Sequence, residues 1–389
     1  TTAKENLSNI SSTYDLESLD KKIKIKYHYL RGMSYYANGE SDLSDSYSAL
    51  DDFNLVIKLE EESSYKTYSE KVNPLKTAML NKFVENAKGA LDIKDYKTSY
   101  LNLESAYRVS SRDTLYLYNA ALLATENKDF DVALNYYEEL DNIGFTGVTT
   151  NYYATEVETG IEQSFTSESN RNLFVKAGTH KDERDELTES VQLNVLRSMA
   201  AIYKEKENSS RALEYIEKAK LINESDISLI LLEANIRWGL GEVENYRLLI
   251  SKALEIDPTN VDLIYNLGAI SNINNDPKAA AVFFERAIAL DPKFSKAYLS
   301  MGNLILKEQD PIAEKMDGLG YSQADYDKYD ELAIELESVQ RRALEYFLAV
   351  FEFEPNNIEA VKNLKNVYGA LGDEENFKLM EEIVKKLEN

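Results

Sequence analysis

The sequence predicts an all-α protein: a solenoid of antiparallel helical hairpins wound into a right-handed superhelix, with a small β-hairpin insert and a protruding helical arm. Three observations predict it. Asp257-Pro258 and Asp291-Pro292 lie 34 residues apart, and each closes an apolar run, Ala253-Leu254-Glu255-Ile256 and Ala287-Ile288-Ala289-Leu290. Small residues recur in the same register at Ala200, Ala234, Gly268 and Gly302. Gly and Ala make up roughly one residue in eight, so four in a row arise by chance about once in 4,000 registers. Composition agrees: 6 Pro and 15 Gly are few for 389 residues, and 43% apolar with 29% charged residues suits long amphipathic helices.

With residue 261 as the first position of a repeat, positions 8, 20, 24, 27 and 32 are Gly268, Ala280, Phe284, Ala287 and Pro292. Small residues at 8, 20 and 27 let paired helices approach, the aromatic at 24 fills the gap, and proline at 32 stops the second helix. This pattern resembles the tetratricopeptide repeat (TPR), whose period is about 34 residues.

Residues 1–24 are expected to hold a truncated leading helix and a linker, and a chain starting at Thr1 reads as processed or excised. Three repeats fill 25–147, starting at 25 (Gly32, Tyr35, Ala49, Phe53), 80 (Ala87, Ser99, Ala106) and 114 (Ala121, Ala133, Tyr137). The first carries about five extra residues in its turn, between Asn38 and Ser46. Residues 148–192 break the pattern. Alternation in Tyr152 to Val157 and Ile161 to Phe165, around Glu158-Thr159-Gly160, predicts a β-hairpin, followed by a short helix from Asn170 to Ala177 that ends at Gly178. Five further repeats occupy 193–389, from 193, 227, 261, 295 and 358. An insertion at 310–336 predicts that both helices of the repeat from 295 run on as a longer pair with its tip near Gly320, projecting without carrying the fold. The last repeat has Lys365 at position 8, as a polar-faced cap should.

A net charge of −24 repels nucleic-acid phosphates and anionic lipid, and no apolar run approaches the ~20 residues of a membrane helix, nor does a signal-like segment open the chain. Without Cys, and with only His28 and His180, there is no material for thiol chemistry or a histidine-rich metal site. His28 falls on a packed helix position and reads as a core histidine, whereas His180 reads as a solvated loop residue. Acids at 42–52 and 325–331 lack calcium-loop spacing, and no phosphate-cradling glycine motif occurs. The expectation is no enzyme activity and no cofactor.

Helix-A positions 5, 9 and 12 usually face the concave groove of such an array. Across the eight repeats these 24 positions contain no acid, an outcome of about one in a hundred for this composition, but do contain Lys88, Arg197, Lys204 and Lys362 and five aromatics. Tyr29, Tyr36, Tyr118, Trp238 and Tyr265 are therefore candidate anchors, with Arg197 and Lys204 steering. The expected partner is an apolar or aromatic protein segment bearing some acids. Leu231 and Leu299 stand where a carboxylate clamp would need lysine.

The inserts add a second resemblance, to TPR proteins of the Bacteroidota cell envelope. It rests on the aromatic and Thr-Gly segment followed by Ala177-Gly178-Thr179, and on Leu319-Gly320 with Lys328-Tyr329-Asp330-Glu331-Leu332. The resemblance implies a periplasmic or envelope address. It also implies an alternative to a groove-binding scaffold, a structural subunit of an envelope or secretion assembly docked through its inserts.

Overall fold

The computed structural model describes residues 2–13, 15 and 18–388. They form two compact units, Thr1–Ile222 and Asn223–Asn389. The repeat from 193 belongs to the first unit, although its sequence register continues into the second.

In the first unit a leading helix α1 (Thr2–Thr13) precedes three helical hairpins: α2 (Lys21–Tyr36) with α3 (Leu43–Glu61), α4 (Ser69–Asp92) with α5 (Tyr96–Val109), and α6 (Thr114–Glu126) with α7 (Phe130–Asn142). The insert follows, and then the hairpin of α9 (Gln192–Glu205) and α10 (Ser209–Lys220). Aspartate sets several of the starts: Asp20, Asp42 and Asp95 each accept a hydrogen bond from a first-turn N–H. Of the expected starts, 114 is met and 193 is met within one residue, but α4 begins well before residue 80. The cause is Glu60, a fully buried side chain at the end of α3. Its carboxylate accepts from the backbone N–H groups of Thr67, Tyr68 and Ser69 at 2.8–2.9 Å and from the Ser69 hydroxyl at 2.5 Å, an anion set on a helix N-terminus.

Burial alone would raise the Glu60 carboxyl, but these donors outweigh it and hold the group below its ordinary 4.5. A depressed carboxyl contributes stability that is present above the unfolded value and is lost as pH falls through the folded one. Glu60→Gln should therefore cost about 2 kcal/mol near neutrality. Urea midpoints for the wild type and the variant should converge below pH 4.5. A constant difference down to strong acid would assign the loss to packing instead.

The insert is a three-stranded antiparallel sheet of β1 (Thr150–Glu156), β2 (Glu162–Phe165) and β3 (His180–Leu187), in the order β2-β1-β3, with α8 (Glu168–Lys176) between the last two in sequence. The hairpin, its turn with Gly160 at φ 70°, and the helix stopping at Gly178 with φ 75° match expectation. The third strand does not. Its charged run hid it, since an edge strand carries charge on both faces to resist pairing with other chains. His180 is consequently not a solvated loop residue: it is buried, its Nε2 lies 3.2 Å from Gln163 Oε1, and Phe165 and Phe174 pack edge-on to its ring.

The second unit stacks α11 (Ile227–Gly239) with α12 (Val243–Ile256), α13 (Val261–Ile273) with α14 (Pro277–Leu290), α15 (Ser295–Leu306) with the 31-residue α17 (Gln323–Phe353), and α18 (Ile358–Ala370) with α19 (Glu374–Leu387). Helix starts at 227, 261, 295 and 358 coincide with the expected ones. Only one helix of the arm runs on unbroken. The outgoing helix stops at Leu306, and a separate α16 (Gln309–Asp317) follows, because Pro311 has no N–H and its ring would clash with the carbonyl of Lys307 in a continuous helix. Nor is the arm separate from the fold, since Ile312 and Leu332 are buried in the same apolar cluster as Phe347 and Val361.

The seam is one contact used three times. A Cβ added to Gly32, Gly268 or Gly302 would lie 2.7, 2.6 or 2.5 Å from a ring carbon of Phe53, Phe284 or Phe347, each fully buried. Only a residue without Cβ lets the two helices close on that aromatic.

Candidate functional site

Each unit presents its own helix-A face. In the first unit a cleft of about 390 Å³ opens between α4, α5 and α6, lined by Val84, Lys88, Leu91 and Leu122 above Ala87 and Leu103. Those first four belong to the acid-free set. Leu91 and Leu122 are 44% and 40% exposed, so they offer apolar area that the fold leaves uncovered.

The five aromatic candidates are occupied differently: each already packs on another ring of its own unit. Centroid separations are 4.5 Å for Tyr29–Tyr68, 6.2 Å for Tyr36–Phe53, 5.5 Å for Tyr118–Phe145, 5.1 Å for Trp238–Tyr246, and 5.7 and 5.6 Å for Tyr265 with Phe284 and Phe294. The Tyr265 hydroxyl also lies 3.2 Å from Ser300 Oγ. Trp238 alone of the five is exposed, at 45%. Burial pushes the Tyr118 phenol up, with Asn194 and the Arg197 charge working against the rise. Arg197 donates to Asn194 Oδ1 at 2.7 Å, which groups Tyr118, Asn194 and Arg197 on neighbouring helices. Lys204 is exposed and pairs with Glu205 at 2.8 Å, a surface contact that offsets much of its steering charge. Leu299 is buried and so does not face the groove.

Leu91 and Leu122 were within reach of the sequence, which placed them among the 24 groove positions. An aromatic offers more area than a leucine, but a large ring is also the side chain most able to find a partner within its own fold.

A larger cleft, about 710 Å³, lies in the second unit where the start of α14, the end of α15 and α17 meet. Its floor is Met301, Leu304 and Ile305, and its rim charges are largely spent internally, Arg342 on Glu308 and Lys307 on Asn272. Among the described residues no group of three or more His, Asp or Glu is placed to hold a metal ion, and no helix is long and apolar enough to cross a membrane.

Stacked antiparallel helix pairs, three of them closed by a glycine against a buried aromatic, define a helical-hairpin repeat scaffold, a class whose work is to hold other proteins. The family model for the tetratricopeptide repeat matches residues 249–281, so this stretch of the chain is a tetratricopeptide repeat. That fold is generally a non-catalytic scaffold. No curated protein matches the sequence. Among solved structures, the chain is similar to the C-terminal part of a TPR repeat-containing protein from Cytophaga hutchinsonii, with 13% identity over 73% of this chain and 93% of that one and a TM-score of 0.41. A tetratricopeptide repeat protein from Parabacteroides merdae is 12% identical over 80% and 100% of the two chains, TM-score 0.41. YrrB, described as a TPR protein with an unusual peptide-binding site, is 20% identical over 50% and 84%, TM-score 0.34.

Proposed function

We propose that the protein is a non-catalytic interaction scaffold that binds an apolar segment of a partner protein along its helix-A face, with the cleft of α4, α5 and α6 as the principal pocket. One observation carries this reading: uncovered Leu91 and Leu122 flank a cleft on a face free of carboxylates, in a chain with a net charge of −24. An incoming apolar side chain is desolvated there without burying an acid, and Lys88 at the rim favours a segment carrying a few acids of its own. Trp238, 45% exposed although it also packs on Tyr246, is the corresponding anchor of the second unit.

Leu91→Ala and Leu122→Ala should each weaken the native partner by about 1–2 kcal/mol while leaving helicity unchanged. Calorimetric titration with the partner co-purified from the native host reads this out. Wild-type affinity in both variants would remove the cleft from the interface. Tyr265→Ala is a poor probe, because it also strips a ring from Phe284 and Phe294.

The setting in this reading is the periplasm or cell envelope, supported by the resemblance of the two inserts to envelope TPR proteins of Bacteroidota. Fractionation of the native host tests it, and recovery of the protein with the cytosol would overturn it.

A further inference from the structure

The tip of the arm presents three tyrosines to solvent. Tyr321 is 91% exposed, Tyr326 54% and Tyr329 49%, and with Asp325 they wall a cleft of about 310 Å³ floored by Met316 and Leu319. The tip is built rather than loose: Ser322 and Asp325 form a capping box at the start of α17. Among the described residues neither a ring nor a cation covers these three phenols.

Elsewhere the chain repeatedly sets a cation over a tyrosine beside a carboxylate, with lysine at Tyr35 and Tyr215 and, more often, with arginine. Arg31 lies over Tyr27 while pairing with Asp52; Arg108 over Tyr107 while pairing with Glu104 and Glu139; Arg171 over Tyr152 while pairing with Asp185. Arg184 does the same with Tyr153, Glu162 and Glu186, and Arg211 with Tyr203, Tyr215 and Glu214. A guanidinium suits both demands at once, since its face stacks on the phenol and its edge forks onto a carboxylate.

The arm supplies the tyrosine and carboxylate parts of this arrangement and lacks the third. Residues 308–337 contain ten acids and two lysines but no arginine, against 68 acids in 389 residues for the whole chain, so acid density here is about double. Lys328 is engaged with Glu331, whereas Asp317 and Asp330 pair with none of the described residues. Asp330 stands one helical turn beyond Tyr326 and therefore beside it.

We propose that the arm tip is a docking surface for an arginine-bearing segment of a partner protein, the incoming guanidinium stacking on Tyr326 or Tyr329 and pairing with Asp330 or Asp317. This surface is distinct from the helix-A cleft, and its occupant is of opposite charge to the segment proposed there.

The probe is a fluorescein-labelled 12-residue peptide carrying three arginines on a Leu/Ser background, with lysine and citrulline versions, titrated by anisotropy against the full chain in 150 mM salt. The arginine peptide should bind and cross-link to residues near 316–330, the lysine version should bind at least about 5-fold more weakly, and the citrulline version should not bind. Tyr321→Ser, Tyr326→Ser and Tyr329→Ser together should reduce affinity about 10-fold at unchanged helicity. Asp317→Asn with Asp330→Asn tests the charge half without touching the rings, and should also weaken binding and flatten its salt dependence. Leu91→Ala with Leu122→Ala should leave arginine-peptide binding as in the wild type, which separates this proposal from the cleft reading. Equal binding of the lysine and arginine peptides, cross-links away from the arm, or wild-type affinity in either arm variant would overturn it.

Discussion

Asp52→Ala should destabilise the first unit by about 3–5 kcal/mol. Asp52 is 1% exposed, and its two oxygens serve three donors or partners: Oδ1 lies 2.7 Å from His28 Nδ1 and accepts from Arg31 Nη2 at 2.7 Å, while Oδ2 accepts from Arg31 Nε at 2.8 Å. The hydrogen bonds from Arg31 to this carboxylate hold its guanidinium above the usual arginine range. Deleting the carboxylate leaves a buried imidazole and a half-buried cation facing one another with only the Tyr27 hydroxyl, 3.4 Å from Arg31 Nη1, to accept, and most of that desolvation is not recovered. Asp52→Asn keeps one acceptor oxygen and should lose less. Urea unfolding, with hydrogen exchange in α2 and α3 to localise the damage, measures both variants. A loss under about 1 kcal/mol for Asp52→Ala would mean that water reaches Arg31 and replaces the carboxylate.

Gly268→Leu should cost about 3 kcal/mol, the upper end of ordinary overpacking. The Cβ alone would sit 2.6 Å from Phe284 Cε1 and 3.1 Å from Phe283 Cβ, and Phe284 has nowhere to retreat because it is fully buried. Gly268→Ala should therefore destabilise too, although alanine is the better helix former. Gly89 is the control: a Cβ there meets nothing within 4 Å, so Gly89→Ala should stabilise by about 0.5–1 kcal/mol. Because repeats couple mainly to neighbours, exchange protection should fall around α13 and α14 and persist in α18 and α19. Uniform loss across the second unit, or a neutral Gly268→Ala, would contradict the proposed packing role of this contact.

Sequence spacing located most of the fold, since the helix starts at 114, 227, 261, 295 and 358 stand where the 34-residue register puts them. A repeat fold is legible in this way because each helix packs on near neighbours, so the constraint on Gly268 or Ala280 lies within one period of sequence. The same local logic found the β1–β2 hairpin, whose two strands are joined by a short Gly-containing turn. It failed where the deciding contact was distant or hidden. The early start of α4 depends on Glu60 reaching across a loop, and β3 pairs with β1 across a helix in a strand whose charged residues carry no alternation.

The candidate site divides along the same line. Which residues share one face of each helix A follows from the sequence alone, because helical phase follows from residue number, although Leu299 on that face is buried. Which of them remain uncovered was decided only by tertiary structure: Tyr29, Tyr36, Tyr118 and Tyr265 turn onto rings elsewhere in their own units, while Leu91 and Leu122 are left open to solvent, as is Tyr321 on the arm. Composition records that a side chain is large and apolar, but whether its surface is already spent depends on what the fold brings within about 4 Å of it.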